Sequence, residues 1–277
     1  MTTLNILAQT HNLWGDHHAA ERVDAMRALY ERRTPDLLAT QETRGWSRDL
    51  LDEAMPGHDR VQDDFPGWEL QSNLWWDREL FDEVEHGAED VGIHDAYARL
   101  FWVRLRVAGG PRTILWTTAH LSYSGTAVEA ETGVNQRTLQ ARRVVDELDR
   151  RALPHEPVFL ASDTNAIATA IWVIGNAGYL DSFSALNRQA PPTHPVTPNP
   201  FARTVGTAKS PIASSNKTID FIFFRGPARS RSAEVVEFFD RGVAPSDHYP
   251  VASTFALPTS WPAGELHQSS TNQRRKQ

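Results

Sequence analysis

The 277-residue sequence predicts an α/β protein in which sheets are flanked by helices. Short apolar runs typical of strands outnumber the segments with helical periodicity, and helices lie between several of these runs. No charged or Gly/Ser-rich linker and no internal repeat divides the chain, so we expect a single domain over residues 1–259. Residues 260–277 are rich in Ser, Thr, Gln and Arg, which predicts a disordered tail.

The chain opens with a strand, a helix and a second strand. Residues 4–8 form a short apolar run that leads into a loop at residues 11–15. A helix is predicted for residues 19–33, because apolar side chains recur on one face before Pro35 ends the pattern. That face carries Val23, Met26, Leu29 and Tyr30. Residues 36–40 then form a buried strand candidate with Gln41 and Glu42 at its end.

Strands dominate the rest of the chain. A second helix is predicted for residues 135–151, where Ala141, Val144, Val145 and Leu148 share one face. Residues 188–216 are rich in Pro, Thr and Ser without a period, which predicts a long loop. The apolar runs that predict strands are residues 73–76, 101–107, 113–119, 157–161, 219–224, 233–239 and 251–255.

The composition restricts the classes of function. A total of 28 basic and 35 acidic residues gives a net charge of -7, so the chain lacks the overall positive field of most long nucleic-acid binders. The absence of cysteine excludes disulfides and thiolate metal sites. No signal-peptide pattern or membrane-spanning apolar run is present, so we expect a soluble cytoplasmic protein. We also expect a monomer.

Eight polar residues lie within or close to the ends of apolar, strand-like runs. They are Asn12, Glu42, His120, Asp163, Asn165, Asp220, Asp247 and His248. Residues at strand ends converge on one rim of a sheet, where the ligands of layered α/β folds tend to bind. We therefore expect these side chains to form one site.

The chemistry of this set favours a divalent cation and a phosphate ester. Glu42 and Asp247 offer carboxylates and Asn12 offers a neutral oxygen, and such hard ligands suit Mg²⁺ or Mn²⁺. Mg²⁺ usually binds one or two carboxylates together with substrate phosphate oxygens, so a phosphate-ester substrate is indicated.

The remaining polar residues have chemistry suited to ester hydrolysis. His248, oriented by Asp220, is a candidate for activating water. His120 and Asn165 are candidates for hydrogen bonds to the charge that develops on phosphorus.

Six short motifs carry these residues in order along residues 4–257. They are Asn12 in THNLWG, Gln41-Glu42 in PDLLATQET, His120 in TTAHLS, Asp163 and Asn165 in SDTNA, Asp220 in TIDFIF, and the final SDHYPV. The ordered set resembles the endonuclease/exonuclease/phosphatase superfamily, which includes DNase I and inositol polyphosphate 5-phosphatases. The resemblance implies a DNase I-like four-layered α/β sandwich, with two central, mostly antiparallel sheets flanked by helices and a metal-dependent phosphoesterase site at one edge.

The resemblance also implies individual roles. Glu42 would be the principal metal ligand, with Asn12 and Asp247 completing or supporting the site. Asp163 would orient the attacking water or assist the leaving group, and Asn165 would hold phosphoryl oxygens. The Asp220–His248 pair would supply a base or electrostatic help. SDTN replaces the more usual GDFN, but this change removes no required ligand.

Three functions follow from this pattern. The favoured one is a Mg²⁺- or Mn²⁺-dependent phosphoesterase that hydrolyses a small or soluble phosphate mono- or diester, because the site is complete and the net charge is acidic. The alternatives are a nuclease acting on DNA or RNA, and a non-catalytic binding protein on the same fold. The roles of two further residues stay open. Trp14 either stacks on a base or ring of the substrate or is a packing residue, and Arg137 either faces the site or is a solvated helix charge. Arg203, Lys209 and Lys217 are candidates for anion contacts.

Overall fold

The computed structural model describes residues 3–197 and 216–258, which form two six-stranded sheets packed face to face. With strands numbered in chain order, the first sheet contains β1 (Thr3–Asn12), β2 (Leu37–Gln41), β3 (His58–Arg60), β4 (Ser72–Asp77), β11 (Arg229–Val235) and β12 (Val251–Pro258). The second contains β5 (Phe81–Glu89), β6 (Leu100–Val107), β7 (Thr113–His120), β8 (Val158–Asp163), β9 (Leu180–Asp181) and β10 (Asp220–Arg225).

Helices lie on the outer faces of both sheets. They are α1 (Ala19–Arg32), α2 (Gly45–Ala54), α3 (Gly67–Leu70), α4 (Ala127–Thr132), α5 (Gln136–Arg151) and α6 (Thr169–Asn176), with a short 3₁₀ turn at Ser184–Leu186. None of the helices in residues 3–197 and 216–258 has the length and apolar character needed to cross a bilayer.

Both sheets have the same plan, with one parallel pair at the centre and antiparallel strands around it. The strand orders are β11-β12-β1-β2-β4-β3 and β5-β6-β7-β8-β10-β9. β1 pairs in parallel with β2, and β7 pairs in parallel with β8, whereas every other named pair is antiparallel. The predicted four-layered sandwich is confirmed.

Alternation along the strands divides the apolar side chains between the inner and outer layers of the core. On β7, Trp116 packs between the two sheets while Leu115 faces the layer beneath α5. On β2, Leu37 faces the other sheet while Leu38 packs under α1 and α2. Successive strand side chains point to opposite faces, so a strand covered on both sides is apolar at consecutive positions.

The two long helices are confirmed within one or two residues of their predicted ends. The polar strand β5 and the helices α2 and α6 were missed by the sequence analysis. The strand predicted at residues 233–239 is wrong in position, because β11 spans Arg229–Val235. β5 and β11 are edge strands with many exposed polar residues, so the period-2 apolar signal is weak there.

A buried ion pair supports the edge of the sandwich away from the polar strand ends. Glu156 is 2 % exposed and accepts hydrogen bonds from Arg104 Nε (2.9 Å) and Thr113 Oγ1 (2.5 Å). We expect Glu156→Ala to lower the free energy of unfolding by about 2–4 kcal/mol, because the buried guanidinium loses its buried charge partner. Arg104 also contacts Glu85, which is 49 % exposed, so Glu85→Ala should lower the free energy of unfolding by only ~0–1 kcal/mol. Urea titration of both variants measures the two effects. Equal losses of unfolding free energy in the two variants would contradict a special role for the buried Glu156.

Candidate functional site

The two parallel strand pairs bring polar residues to one edge of the sandwich. Asn12 at the end of β1 lies beside Gln41, the residue before Glu42. His120 at the end of β7 lies beside Asp163 at the end of β8. Ligands of open α/β sheets bind outside the carboxyl ends of the parallel strands, and this edge has that geometry.

Two antiparallel neighbours add further residues to the same edge. Asp220 begins β10 and is the register partner of Asp163. β12 runs antiparallel to β1, so the segment just before it, with Asp247 and His248, reaches the carboxyl end of β1. The start of an antiparallel strand lies beside the end of its partner, which explains why these late residues meet Asn12.

Asn12 is fully buried and connects two carboxylates. Its side-chain Nδ2 donates to Glu42 Oε1 (3.1 Å) and to Asp163 Oδ2 (2.9 Å), while its Oδ1 accepts from the backbone N–H of Trp14 (2.9 Å). The Asn12 amide therefore fixes the relative positions of Glu42 and Asp163, which lie on different sheets.

Asn165 and His120 form the second part of the site. Asn165 Nδ2 lies 3.0 Å from His120 Nε2 and donates to the Leu121 carbonyl oxygen (3.0 Å). His120 Nε2 is 3.5 Å from Asp163 Oδ2 and 4.0 Å from Glu42 Oε1. His120 is thus placed against the pair of carboxylates that Asn12 connects, and the Asn165 side chain lies beside His120.

His248 is buried against Asp220. Its Nδ1 is 2.9 Å from Asp220 Oδ2 and 3.2 Å from Oδ1, and its Nε2 is 3.9 Å from Asp163 Oδ2. Burial works against ionisation of the ring, but the carboxylate of Asp220, by charge and by hydrogen bond, raises the pKa of His248 well above its ordinary value. The predicted pairing of Asp220 with His248 is present in the structure.

Burial has the opposite effect on Asp163, whose side chain is 1 % exposed. Burial first and the charge of nearby Asp220 second raise the pKa of Asp163 above its usual range. A carboxylate with a raised pKa is a better proton acceptor near neutral pH.

Asp247 lies at the margin of the cluster and contacts a histidine that the sequence analysis did not identify. Its Oδ2 is 3.5 Å from His194 Nε2, and the His194 ring is 4.4 Å from the His248 ring. Burial opposes the shift, but the hydrogen bond with His194 and the charge of His248 lower the pKa of Asp247. Ser246 Oγ donates to the Asn12 carbonyl oxygen (2.7 Å) and lies 3.5 Å from Asp247 Oδ1, which connects this segment to β1.

The backbone at the site is strained in three places. Trp14, Glu42 and Asn165 have φ values of 60°, 52° and 46°, in the left-handed region that costs non-glycine residues energy. Each of them follows closely on the end of a parallel strand. The turn conformation directs the Glu42 and Asn165 side chains back towards the strand ends, where their contacts with Asn12 and His120 hold them.

Arg22 is a fully buried side chain that joins the two loops of the site. Its guanidinium donates to four backbone carbonyl oxygens: Trp14 (3.2 Å), Gly15 (2.7 Å), His17 (2.6 Å) and Pro245 (2.7 Å). Burial lowers the pKa of Arg22 to about 10, so the group is cationic at neutral pH. It therefore fixes the loop after Asn12 against the segment that carries Asp247 and His248.

Replacement of Arg22 by lysine is expected to lower the free energy of unfolding by ~2–4 kcal/mol and kcat/KM by about 10- to 100-fold. Lysine keeps the charge but cannot reach four carbonyl oxygens in one plane. Urea unfolding and initial rates measure the two effects. Arg27→Lys on the same helix is the matched control, because Arg27 makes a surface pair with Glu53. Losses of equal size in both variants would show that Arg22 has no special role.

The structure assigns the open residues as follows. The Trp14 ring is 8 % exposed, with Arg22 5.4 Å from its centroid, so it is a packing residue rather than a free stacking surface. Arg137 is buried in an ion pair with Glu129 (2.5 Å) and does not contact the carboxylates of the site. The backbone of Lys217 pairs with His194 beside the site. Arg203, Lys209 and residues 260–277 lie outside the described residues.

Two residues that position the site, His194 and Arg22, carry no recognisable sequence signal, and a third, Gln41, was identified without its partners. His194 is a lone histidine in a proline-rich stretch, and Arg22 lies among the many charges of α1. Gln41 donates to Thr10 (3.0 Å) in its own sheet and to Thr118 (2.8 Å) in the other, which joins the two carboxyl edges. Each of the three has at least one partner that is distant in the chain, so only the tertiary structure identifies these contacts.

The donor set fits a hard cation. Two overlapping groups, His194-Asp247-His248 and Asp163-Asp220-His248, each bring ligand atoms within 4.8 Å of one another. Glu42, which accepts a hydrogen bond from Asn12, adds a further carboxylate. The guanidinium of Arg22 gives its hydrogen bonds to backbone carbonyl oxygens, which leaves the carboxylates for a cation. Oxygen-rich sites without cysteine are those that Mg²⁺ or Mn²⁺ prefers.

A cavity at the opposite end of the strands has no such chemistry. It encloses about 300 Å³ and is lined by residues that include Leu4, Gly109, Pro111 and Leu257. A cleft of about 150 Å³ includes His120 and adjoins the polar cluster. Position and side-chain chemistry therefore favour the smaller cleft as part of the site.

Comparison with known proteins gives the same fold and family. The endonuclease/exonuclease/phosphatase family profile matches residues 10–248. No curated protein sequence matches the chain significantly.

Solved structures with the same fold cover nearly the whole chain. An endonuclease/exonuclease/phosphatase family protein from Bacteroides thetaiotaomicron is 16 % identical, with a TM-score of 0.71 over 93 % of this chain and all of that one. TDP2 from D. rerio, solved with a single-strand DNA product, is 19 % identical, with a TM-score of 0.71 over 91 % and 98 %. A mannosyl-6-phosphatase from B. thetaiotaomicron is 17 % identical, with a TM-score of 0.69 over 90 % and 99 %.

The family match spans most of the chain and includes the segments from Asn12 to His248 that build the polar edge. The two-sheet architecture agrees with that match. This chain belongs to the endonuclease/exonuclease/phosphatase family.

Proposed function

We propose that the protein is a divalent-metal-dependent hydrolase that cleaves a small, soluble phosphate ester. The observation that carries this proposal is the convergence of Glu42 and Asp163 on the buried amide of Asn12, with His248 Nε2 3.9 Å from Asp163 Oδ2. The family, whose members include nucleases and phosphatases by name, supports phosphoester chemistry at this edge.

Glu42 would be the principal ligand of Mg²⁺ or Mn²⁺, with Asn12 and Asp247 completing or supporting the site. When bound, the cation supplies positive charge to the phosphate oxygens of the substrate. His194 contacts Asp247 and so belongs to the support of that ligand.

The other side chains have roles in hydrolysis that follow from their environments. Asp163, with its raised pKa, would take the proton of the attacking water. His248 has its pKa raised by Asp220 and would hold a proton at Nε2 that stabilises charge on a phosphoryl oxygen. Asn165 and His120, 3.0 Å apart, would contact the remaining phosphoryl oxygens or the leaving oxygen.

Charge around the site favours a small substrate over a polynucleotide. The net charge is -7, and the arginines described near the site are engaged by protein groups. Arg22 is buried among carbonyl oxygens, Arg44 pairs with Asp16 (3.3 Å), and Arg137 pairs with Glu129. A nuclease needs a basic track for successive phosphates. Among the structural neighbours, the mannosyl-6-phosphatase favours a small ester, whereas TDP2 with a DNA product favours the alternative.

A substrate panel with and without EDTA tests the proposal. The panel contains bis(p-nitrophenyl) phosphate, p-nitrophenyl phosphate, sugar phosphates, nucleotides, inositol phosphates, single-stranded DNA and RNA. We expect hydrolysis of at least one small ester with Mg²⁺ or Mn²⁺, its loss with EDTA, and recovery when metal is restored. Absence of any hydrolysis, or activity that EDTA does not change, would contradict the proposal. Preferential cleavage of DNA or RNA at low salt would establish the nuclease alternative instead.

A further inference from the structure

The cleft beside His120 has a lining that differs from the carboxylate cluster. Its walls come from the segments 93–98 and 120–126, together with Gln71. Its polar side chains other than His120 make no contact with the proposed metal ligands and are not used by the chemistry above. Since His120 lies 3.0 Å from Asn165 and also borders the cleft, a group bound here is adjacent to the phosphate position.

The size of the cleft limits what it can hold. Its volume of about 150 Å³ is half the lower end of the ~300–1,000 Å³ range of pockets for drug-sized ligands. A single six-membered ring with its substituents is a suitable occupant, whereas a lipid chain or a dinucleotide is too large.

The side chains of the cleft suit a ring that carries several hydroxyl groups. The Asp95 carboxylate accepts hydrogen bonds from hydroxyls, and the Gln71 amide both donates and accepts. Tyr123, which is 64 % exposed, offers an aromatic face for the C–H side of a ring. Ile93 and Leu121 add apolar lining, so the cleft combines polar contacts with a packing surface.

The charge of the cleft disfavours a second anionic group. Among the described residues no lysine or arginine lines it, and Asp95 would repel a phosphate or carboxylate. The nearby Arg137 is already paired with Glu129. The phosphate of the substrate therefore belongs to the metal site, and the group in the cleft should be uncharged.

Helix α5 holds both walls of the cleft in place. Gln140 donates from Nε2 to the Gly92 carbonyl oxygen (3.0 Å) and to Ser122 Oγ (2.8 Å), and its Oε1 accepts from the Ser122 backbone N–H (3.0 Å). Arg137 donates to the Ser122 carbonyl oxygen (3.2 Å), and His94 contacts Gln136 (3.2 Å). A cleft fixed by buried side chains loses little entropy when it binds a ligand, which is typical of a specific site.

We propose that this cleft binds one neutral sugar ring, so that the substrate is a sugar phosphate ester. The inference rests on the proposed phosphoesterase function and names the substrate class of the same site. In the reaction, the water oxygen forms a bond to phosphorus and the bond from phosphorus to the sugar oxygen breaks. The water proton leaves through the protein and the sugar oxygen takes up a proton, so water is the sole co-reactant.

Steady-state kinetics of the full chain with Mg²⁺ or Mn²⁺ test the inference. The values of kcat/KM for sugar phosphates are compared with those for reporter esters without a sugar. The substrates are a set of hexose phosphates, bis(p-nitrophenyl) phosphate and p-nitrophenyl phosphate as reporters, phosphocholine, and a nucleoside monophosphate.

The variants are Asp95→Asn and Tyr123→Ala. Asparagine keeps an oxygen for the Tyr97 backbone N–H, which donates to Asp95 Oδ1 (2.9 Å), so the loop is preserved. Leu153→Ala, at an exposed apolar residue before β8 and away from the site, is the control.

We expect at least one hexose phosphate to be preferred over the reporters and over phosphocholine and the nucleotide. Both cleft variants should lower kcat/KM for that sugar phosphate by about 10- to 100-fold, mainly through KM, and change the reporter values less than about twofold. The control variant should match the wild type. Reporter hydrolysis without a sugar preference, or equal losses on both kinds of substrate, would overturn the sugar assignment alone. Absence of hydrolysis of every ester would overturn the proposed function and this inference with it.

Discussion

Replacement of Glu42 by glutamine is expected to reduce kcat/KM at least about 1,000-fold while the fold is retained. Glutamine has almost the same shape and an oxygen that can still accept from Asn12, so the 3.1 Å contact can persist. The negative charge is lost, and with it most of the attraction for a divalent cation. Glu42 is only partly buried, with 29 % of its side chain exposed, so the neutral replacement is tolerated.

Two measurements separate metal binding from catalysis in this variant. Calorimetric titration with Mn²⁺ should show affinity lowered by at least about tenfold, and initial rates should remain low at saturating metal. Glu69→Gln is the control, because Glu69 is an exposed acid of α3 with 51 % of its side chain accessible. A Glu42→Gln variant with activity within tenfold of the wild type would remove Glu42 from its role as principal ligand.

The second large effect is expected for Asp220→Asn, with kcat/KM lowered by about 100- to 10,000-fold. Asp220 is 1 % exposed and contacts His248 Nδ1 through both carboxylate oxygens, at 2.9 and 3.2 Å. The amide can still accept one hydrogen bond but provides no charge. His248 would therefore lose the anion that raises its pKa, and the buried ring would become neutral at a lower pH.

The pH profile distinguishes this electrostatic role from a merely structural one. A protonated His248 is present below its raised pKa and is lost as pH rises through that value. In Asp220→Asn the alkaline limb of kcat/KM should move to lower pH, since the pKa of His248 falls. Asp181→Asn, on β9 beside β10, serves as the control and should leave both the rate and the profile unchanged. An unshifted alkaline limb with a lowered rate would show that Asp220 acts only through packing.

The prediction from sequence was most successful where one segment determines its own structure. The apolar stripe of α5, with Ala141, Val144 and Leu148, indicates a helix without reference to any other segment, because its period matches 3.6 residues per turn. The strand that ends in His120 was equally clear. Edge strands such as β5 were missed, because their exposed faces are polar and their pairing partners lie elsewhere in the chain.

The site was predicted as a set of residues but not as a geometry. Strand-end positions and the ordered motifs identified Asn12, Asp163 and His248 as neighbours, and the structure brings them together. The roles of individual residues stay predictions. The contacts with His194 and Arg22 were not accessible, since nothing near those residues in the sequence indicates a partner more than 50 positions away.

By itself the sequence determined the fold class, the two long helices and which polar side chains lie at strand ends. These properties depend on local periodicity and on chain order, both of which a single sequence contains. Only the tertiary structure decided that β12 lies beside β1 and β10 beside β8. That arrangement places Asp247, His248 and Asp220 against Asn12 and Asp163, because contacts between distant segments depend on the free energy of packing the whole core.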